Sequence, residues 1–386
     1  MKIVHLCLAS FYIDGYSYQE NELPKYHRAA GHEVEIIASR VSFDADGHIC
    51  EYQGESRYLN ENGIPVTRLD YQSPARIYSV LRRYRGLYDV LERFAPELLF
   101  IHGCQFMDID VAVRYVKKHP DTRVVVDNHA DLCNSATNFL SMNVLHKIIW
   151  KRCARKAEPV TARFYGVTPS RVDFLKDIYG LPAEKCSLLV MGADDEAVEN
   201  ASRPEVRQRR RIGYGVADDD IVIVTGGKID HNKPQVLKLM QAVNQLKDDR
   251  IRLIVFGSVV DELKEAFRRN IGDHVKYIGW RKSEEIYEDF AAADIVAFPG
   301  LHSVLWEQAA GMGKPCLFKR IKGFEHVDLG GNCLFFENDD SDEYLRVIQN
   351  AAQRLDAMKA AARQGSGVFS YRAIAEKSLE GSICRQ

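Results

Sequence analysis

Ile221-Val222-Ile223-Val224-Thr225-Gly226-Gly227-Lys228-Ile229-Asp230-His231-Asn232-Lys233-Pro234 decides the fold. Residues 221–225 are all β-branched and mostly apolar, so they read as a short strand with no solvent-facing side. Two glycines then make a loop, and a helical pattern follows over 234–245. A strand buried on both faces belongs to a parallel sheet covered by helices. The same plan of strand, glycine loop and helix opens the chain over 3–30. Further apolar runs fall at 34–38, 98–101, 124–127, 164–167, 253–256, 275–278, 295–298 and 316–318. Helical patterns at 111–119, 261–270 and 284–292 lie among them. Repeated βαβ units of this kind make an α/β protein.

The chain has 386 residues, too many for one ordinary core and enough for two domains of roughly 150 to 190 residues each. The rhythm breaks over 192–215, where Arg207-Gln208-Arg209-Arg210-Arg211 reads as a solvated helix face. The first domain is therefore expected over 1–192 and the second over 193–367. Open sheets bind ligands beyond the carboxyl ends of their strands, so two such domains facing each other would share a cleft. A net charge of −2 argues against nucleic acid as a partner. No apolar run approaches the roughly 18 residues that span a bilayer. Nine cysteines without a Cys-x-x-Cys pair fit a reducing cytoplasm better than a disulfide frame or a zinc site.

Two segments of the second half can carry chemistry. Gly227, Lys228 and Lys233 follow a strand, where glycine admits phosphate to the backbone and lysines neutralise a leaving diphosphate. In Phe298-Pro299-Gly300-Leu301-His302-Ser303-Val304-Leu305-Trp306-Glu307, Ser303 is a fitting N-cap for a helix from Val304. The N–H groups of Ser303, Val304 and Leu305 would then face a diphosphate. Glu307, one turn in, could take ribose hydroxyls. In the first half, His102 and His129 stand where strands end and would point into the cleft, with Asn128 beside them. The alternative for each histidine is a structural ring bonded to backbone. The Asp44/Asp46, Asp108/Asp110 and Asp218/Asp220 pairs lack the context of a metal site, so no metal or other cofactor is expected.

Four elements in order then resemble the second half of the family 4 retaining glycosyltransferases of GT-B fold. They are Gly227-Lys228…Lys233, Val275-Lys276-Tyr277-Ile278-Gly279-Trp280, Ala293-Asp294-Ile295-Val296-Ala297-Phe298-Pro299, and Glu307-Gln308-Ala309-Ala310-Gly311-Met312-Gly313-Lys314-Pro315. Asp14-Gly15-Tyr16-Ser17-Tyr18-Gln19-Glu20-Asn21-Glu22 resembles the same family's opening glycine loop and helix, and Thr168-Pro169-Ser170 and Val190-Met191-Gly192 its later landmarks. The chain departs from the family at its paired glutamates, since Pro299 stands where the first belongs and only Glu307 remains; His302 is the nearest substitute.

The resemblance implies two Rossmann-like domains across a cleft, with residues 368–386 forming a helix that returns to the first. It implies transfer of a sugar from a nucleoside-diphosphate sugar, a UDP-sugar by preference, to a saccharide or lipid-linked saccharide of bacterial surface polysaccharide, with retention of configuration. His102, Lys228, Lys233 and Glu307 would be catalytic. Gly15, Gly227, Trp280 and 302–305 would join them on the donor, and Tyr16, Asn128 and His129 would meet the acceptor. Basic-aromatic stretches at 146–156 and 76–85 are candidates for peripheral contact with anionic membrane. A nucleotide-sugar epimerase of the same fold, or a non-catalytic nucleotide-sugar-binding subunit, are the alternatives.

Overall fold

A computed structural model describes residues 1–44, 48–231, 234–246 and 248–383, without the side chains of 75, 76, 78 and 381–383. Lys233 and Asp46 lie outside the described residues. The chain divides into two compact units, Met1–Val190 with Tyr371–Gln386, and Met191–Ser370. The second crossing of the chain falls a little after the expected 367/368 boundary. Phe369 is fully buried and its carbonyl accepts from the Ala193 N–H at 2.8 Å, which ties it to the second unit.

The strands of unit one are β1 (Lys2–Cys7), β2 (Glu33–Ser39), β3 (Val41–Phe43), β4 (Ile49–Glu51), β5 (Arg57–Leu59), β6 (Pro65–Leu69), β7 (Leu98–His102), β8 (Arg123–Asn128), β9 (Arg163–Gly166) and β10 (Cys186–Leu188). Eight form one sheet in the order β10-β9-β8-β7-β1-β2-β6-β5, with β3 and β4 paired separately. All its pairs are parallel except β5 with β6. Ile3, Val4, Leu6, Leu98, Leu99, Phe100, Val125 and Val126 are fully buried, alternating between the cores on the two faces. The helix Tyr371–Ile383 packs on the helix Gln19–Ala29 over one of those faces.

Unit two holds β11 (Ile221–Ile229), β12 (Ile251–Val259), β13 (Val275–Tyr277), β14 (Ile295–Phe298), β15 (Cys316–Lys319) and β16 (Cys333–Phe336) in an all-parallel sheet ordered β13-β12-β11-β14-β15-β16. In both sheets order reverses at the first strand, which opens a crevice at the carboxyl ends. Strand β11 runs on through Gly226 and Gly227 where a loop was expected, because β12 pairs with it as far as Ile229. The two strands approach so closely that a Cβ on Gly226 would lie 2.4 Å from the Phe256 carbonyl oxygen. Gly226 therefore answers to packing.

The arginine run is also not the solvated face expected of it. On the helix Pro204–Tyr214, Arg211 is 3% exposed and reaches Asp294 at 3.1 Å, while Arg209 and Arg210 pair with Glu288. Asp294 also accepts from Arg207 and Lys359, both at 3.0 Å, and from the Val222 N–H. Burial opposes its charge, but the Val222 N–H, Arg207 and Lys359 hold its carboxyl below the usual aspartate range. Asp294→Ala leaves Arg211 buried without a counter-charge and should lower unit two's stability to urea by about 3 kcal/mol. The carboxyl titrates lower folded than unfolded, so this contribution is complete above the ordinary aspartate pKa and is lost as pH falls below it. The gap between wild type and variant should accordingly close in urea titrations carried out at progressively lower pH.

Candidate functional site

Each unit gathers its chemistry at the carboxyl ends of its strands, around one buried carboxylate. In unit two that carboxylate is Glu307, fully buried on the helix Leu305–Gly311. Its Oε1 accepts from His302 Nε2 at 2.8 Å and from His326 Nε2 at 2.9 Å. Burial opposes the charge, yet the two imidazoles bring the carboxyl down to about 2. Oε2 is buried and has no hydrogen-bond partner among the described residues. One oxygen is thus anchored and the other is an unspent acceptor, a costly state unless a hydroxyl donor completes it.

Gly227 sits at φ +103°, a conformation that favours glycine, and a Cβ there would meet only Leu305 Cδ1 at 3.8 Å. The end of β11 and the helix carrying Glu307 are thereby neighbours. Lys228 is exposed with no partner among the described residues. The Gly257 N–H donates to the Gly279 carbonyl at 2.7 Å, which sets Trp280, 65% exposed, at the same end of the sheet. The helix starts at Leu305, later than expected, with Val304 at its cap position and no side-chain cap bond. Ser303 instead supplies a backbone carbonyl to the Trp306 N–H at 3.0 Å. His302 is turned onto Glu307.

In unit one the carboxylate is Asp127, at the end of β8 and fully buried. Its Oδ2 lies 2.8 Å from His102 Nδ1, 3.3 Å from His129 Nε2 and 3.3 Å from Gln19 Nε2. Desolvation works against its charge, but His102 and His129 hold the carboxyl below its ordinary range. His129 also stands 3.7 Å from Glu20. Burial disfavours the protonated ring of His129, but Glu20 and Asp127 outweigh that and raise its pKa.

His102 requires a correction. It is 0% exposed and its other nitrogen, Nε2, is 3.0 Å from His5 Nδ1, so it faces the sheet interior instead of solvent. Asn128 is committed too. It accepts from Gln105 at 3.0 Å and donates to the carbonyls of Ala130 and Arg171, so it holds the turn after β8 and has no amide group left for an acceptor. His129 is the partly open member, its side chain 25% exposed. It lines a cavity of about 440 Å³ with Ser10, Arg82, Gln105, Asn134 and Trp150. Gly15, at φ +74°, gives its N–H to Glu61, and Tyr16 beside it is 39% exposed.

His326, Asp127, Glu20 and His5 escaped the sequence reading. His326 lies in a short turn beyond β15, and nothing in its neighbours announces it; Glu20 stands within the glycine-loop segment but was given no role.

Two sets, Glu20-His102-His129 and His302-Glu307-His326, bring ligand-type atoms within 4.8 Å of one another. Both are already joined as charge-paired clusters, and both nitrogens of His102 are spent. The Asp-x-Asp carboxylates are dispersed. Asp108 takes the Tyr84 N–H and Arg83, Asp110 takes Lys156, and Asp220 takes the Ala217 N–H.

The segment 76–85 is mixed, with Ile77 and Val80 exposed by 55% and 60%. Arg82 donates to the carbonyls of Ala9 and Gln105, Arg83 pairs with Asp108, and Tyr84 is buried. Over 146–156, by contrast, Ile148 is 61% exposed, while His146 and Trp150 are buried. No helix of the described residues is long and apolar enough to cross a membrane.

His326→Ala should leave Glu307 held by one imidazole and cost about 2 kcal/mol in urea unfolding, while His326→Gln, which retains an N–H donor, should recover much of it.

A glycosyl transferase 4-like domain matches residues 18–189, and a domain of the glycosyl transferases group 1 matches 219–354. A D-inositol 3-phosphate glycosyltransferase of Geodermatophilus obscurus is 25% identical over 214 residues, 51% of this chain. The chain spans about half the length of that curated relative, 47%. Among solved structures, Alr3699/HepE of Anabaena in complex with UDP aligns over 98% of this chain and 99% of its own, at 18% identity and TM-score 0.66. The UDP-GlcNAc 2-epimerase of Neisseria meningitidis, bound to UDP-GlcNAc, aligns over 99% of both chains at 11% identity and TM-score 0.63.

Proposed function

Given that the chain belongs to the glycosyltransferases of GT-B fold, enzymes of the hexosyltransferase type, we propose that it moves a sugar from a UDP-sugar to a hydroxyl acceptor with retention of configuration. The observation that carries this reading is the assembly of Gly227, Leu305 and Glu307 at the strand ends of unit two, with Glu307 Oε2 unspent. The donor binds there. Its diphosphate lies over Gly227 toward the N–H groups around 303–305, and a sugar-nucleotide hydroxyl completes Glu307 Oε2. Trp280 offers an aromatic face to the base. In this family the first glutamate of the pair contacts the donor sugar; here Pro299 fills that place, so the sugar is recognised by other groups.

Cleavage of the anomeric C–O bond puts negative charge on the departing diphosphate and positive charge on the sugar. Lys228, joined by Lys233, neutralises the diphosphate, where fixed positive groups are worth most in a site shielded from water. The leaving phosphate takes the acceptor's proton, so no carboxylate pair at glycosidase spacing is needed. The chemistry requires no metal. Unit one presents the acceptor, with Tyr16, His129 and the Gly15 loop around it; His102 and Asn128 act behind them, on Asp127 and the turn after β8.

A lipid-linked saccharide is the acceptor we favour, which puts the enzyme in the cytoplasm at the inner face of the membrane. The support is the run 146–156, where exposed Ile148 accompanies Lys147, Arg152 and Arg155, close in sequence to Phe139 and Leu140, exposed by 80% and 63%. This predicts salt-sensitive binding to anionic liposomes, and no binding to them at low salt would remove the membrane part of the proposal.

Lys228→Ala should lower turnover by about two to three orders of magnitude with an unfolding curve close to wild type, and Glu307→Gln, which keeps an amide oxygen for the two imidazoles, should lower it comparably. UDP-sugars should raise the melting temperature more than ADP- or GDP-sugars, since a ligand of the native state stabilises it by mass action. Turnover should survive EDTA. Near-normal turnover in both variants would overturn the site assignment. The likeness to the epimerase favours one second reading, isomerisation of the donor; incubation with UDP-sugar alone and no acceptor separates them, as only an epimerase yields an isomeric nucleotide sugar.

A further inference from the structure

Unit two holds a second cavity, of about 490 Å³, at the opposite end of its sheet from Gly227 and Glu307. Asp294 stands just before β14 and Lys314 just before β15, so the cavity lies at the amino ends of these strands. Four cations line it. Arg207 comes from the helix Pro204–Tyr214, Lys314 from the turn before β15, and Lys359 and Arg363 from the helix Leu355–Gly365. Asp294 is the one carboxylate among the described residues that line it. Pro204 and Met312 make part of the remaining wall apolar.

One carboxylate does not balance these cations. Asp294 already pairs with Arg207 and Lys359 at 3.0 Å and with Arg211 behind the cavity at 3.1 Å. Arg207 and Lys314 also donate to the carbonyls of Ala291 and Ala293, at the end of the helix Ser283–Ala292. A helix end carries only about half a negative charge. Lys314 and Arg363 have no carboxylate partner among the described residues, and the exposed Arg363 guanidinium makes no hydrogen bond to any of them. Lys359 and Arg363 sit one turn apart on the same helix face, where like charges repel. Asp294 answers the first, and nothing answers the second. Lys314 registers the imbalance. Burial and Arg207 push its amine down to about 7, Lys359 and Arg363 add to the effect, and Asp294 opposes it. Protonated, Lys314 has a third N–H to give beyond its two carbonyl bonds.

We propose that this cavity binds a phosphate-bearing small molecule, at a site separate from that of the sugar nucleotide, with Lys314 and Arg363 as its main ligands. A phosphate group brings the charge that Asp294 does not supply, and its oxygens suit both the guanidinium fork and the ammonium. The volume is that of a pocket for a whole metabolite, larger than a lone phosphate needs. The apolar wall suits an uncharged body beside the phosphate, so the ligand class is the phosphate esters of sugars and nucleosides. Met312, which lines the cavity, directly follows the helix Leu305–Gly311, and Glu307 lies in the first turn of that helix. An occupant would therefore touch the end of the element that carries Glu307. The binding itself does not depend on the transferase reading.

The experiment is NMR of the full chain with isotopically labelled lysine, titrated with inorganic pyrophosphate and, separately, with glucose 1-phosphate. One lysine amine should titrate near neutral pH, assigned to Lys314 by its loss in Lys314→Met, or in Lys314→Arg if that variant does not fold. Either probe should raise its midpoint by about one pH unit, as a nearby anion favours the charged amine. Arg363→Ala removes a side chain that holds no other group, so it should fold normally and weaken the response to both probes about tenfold. Arg346→Ala, which removes an equal charge from the helix Ser341–Gln353, should leave the response unchanged. Lys228→Ala should leave it unchanged too, so inactivity toward every sugar nucleotide would count against the transferase reading and not against this site. No movement of the Lys314 midpoint with either probe, a full response in Arg363→Ala, or an equal loss in Arg346→Ala overturns the proposal.

Discussion

A carboxylate removed from water must be given its counter-charges by the fold, and both candidate sites are organised by that constraint. Asp127 and Glu307 are each fully buried and each held by imidazoles, with His102 and His129 on the first and His302 and His326 on the second. These carboxylates fix where neighbouring loops can go. Glu307 draws in the loop before its own helix through His302 and the turn beyond β15 through His326. Asp127 draws the start of the helix Gln19–Ala29 to the end of β8 through Gln19. Parallel strands set the stage by ending together, and paired charge decides how the loops beyond those ends are arranged.

Each carboxylate keeps one buried oxygen to spare, but the surroundings of that oxygen differ. Glu307 has a spare acceptor oxygen beside a glycine-lined strand end, which suits a hydroxyl-bearing ligand. On Asp127, three groups converge on Oδ2, Oδ1 is buried without a partner among the described residues, and what reaches solvent is the edge of His129. The proposed reaction has a donor nucleotide held by its hydroxyls in unit two and an acceptor hydroxyl presented by unit one.

Much of the fold was legible because buried parallel strands write themselves as β-branched runs. All ten strands expected from such runs appear, including 221–225, 253–256 and 295–298. The strands that were missed had reasons. Pro65–Leu69 contains Thr67 and Arg68, polar residues whose side chains are satisfied inside the protein by Glu35 and by backbone carbonyls, so no apolar run announces them. Cys186–Leu188 and Cys333–Phe336 are short edge strands, where little pattern can accumulate. The arginine run of 207–211 misled for the same physical reason as Arg68, since charge in sequence reads as exposure unless the partner is known, and Asp294 lies far along the chain.

At the sites, type was legible and direction was not. His102 and Asn128 do stand at strand ends, but one residue further along the chain decides which face a side chain takes. Successive strand residues point to opposite faces, so His102 joins the interior while His129, beyond the last residue of β8, turns outward. His5 and His27 received no reading from the sequence, because each is flanked by residues that pack. Only the register of β1 against β7, which brings His5 beside Phe100, two residues before His102 and on the same face, joins them into a file. A hydrogen-bonded chain of this kind has no sequence signature at all, since its members come from a strand, a helix, a second strand and a third. It becomes visible only when the fold fixes their distances.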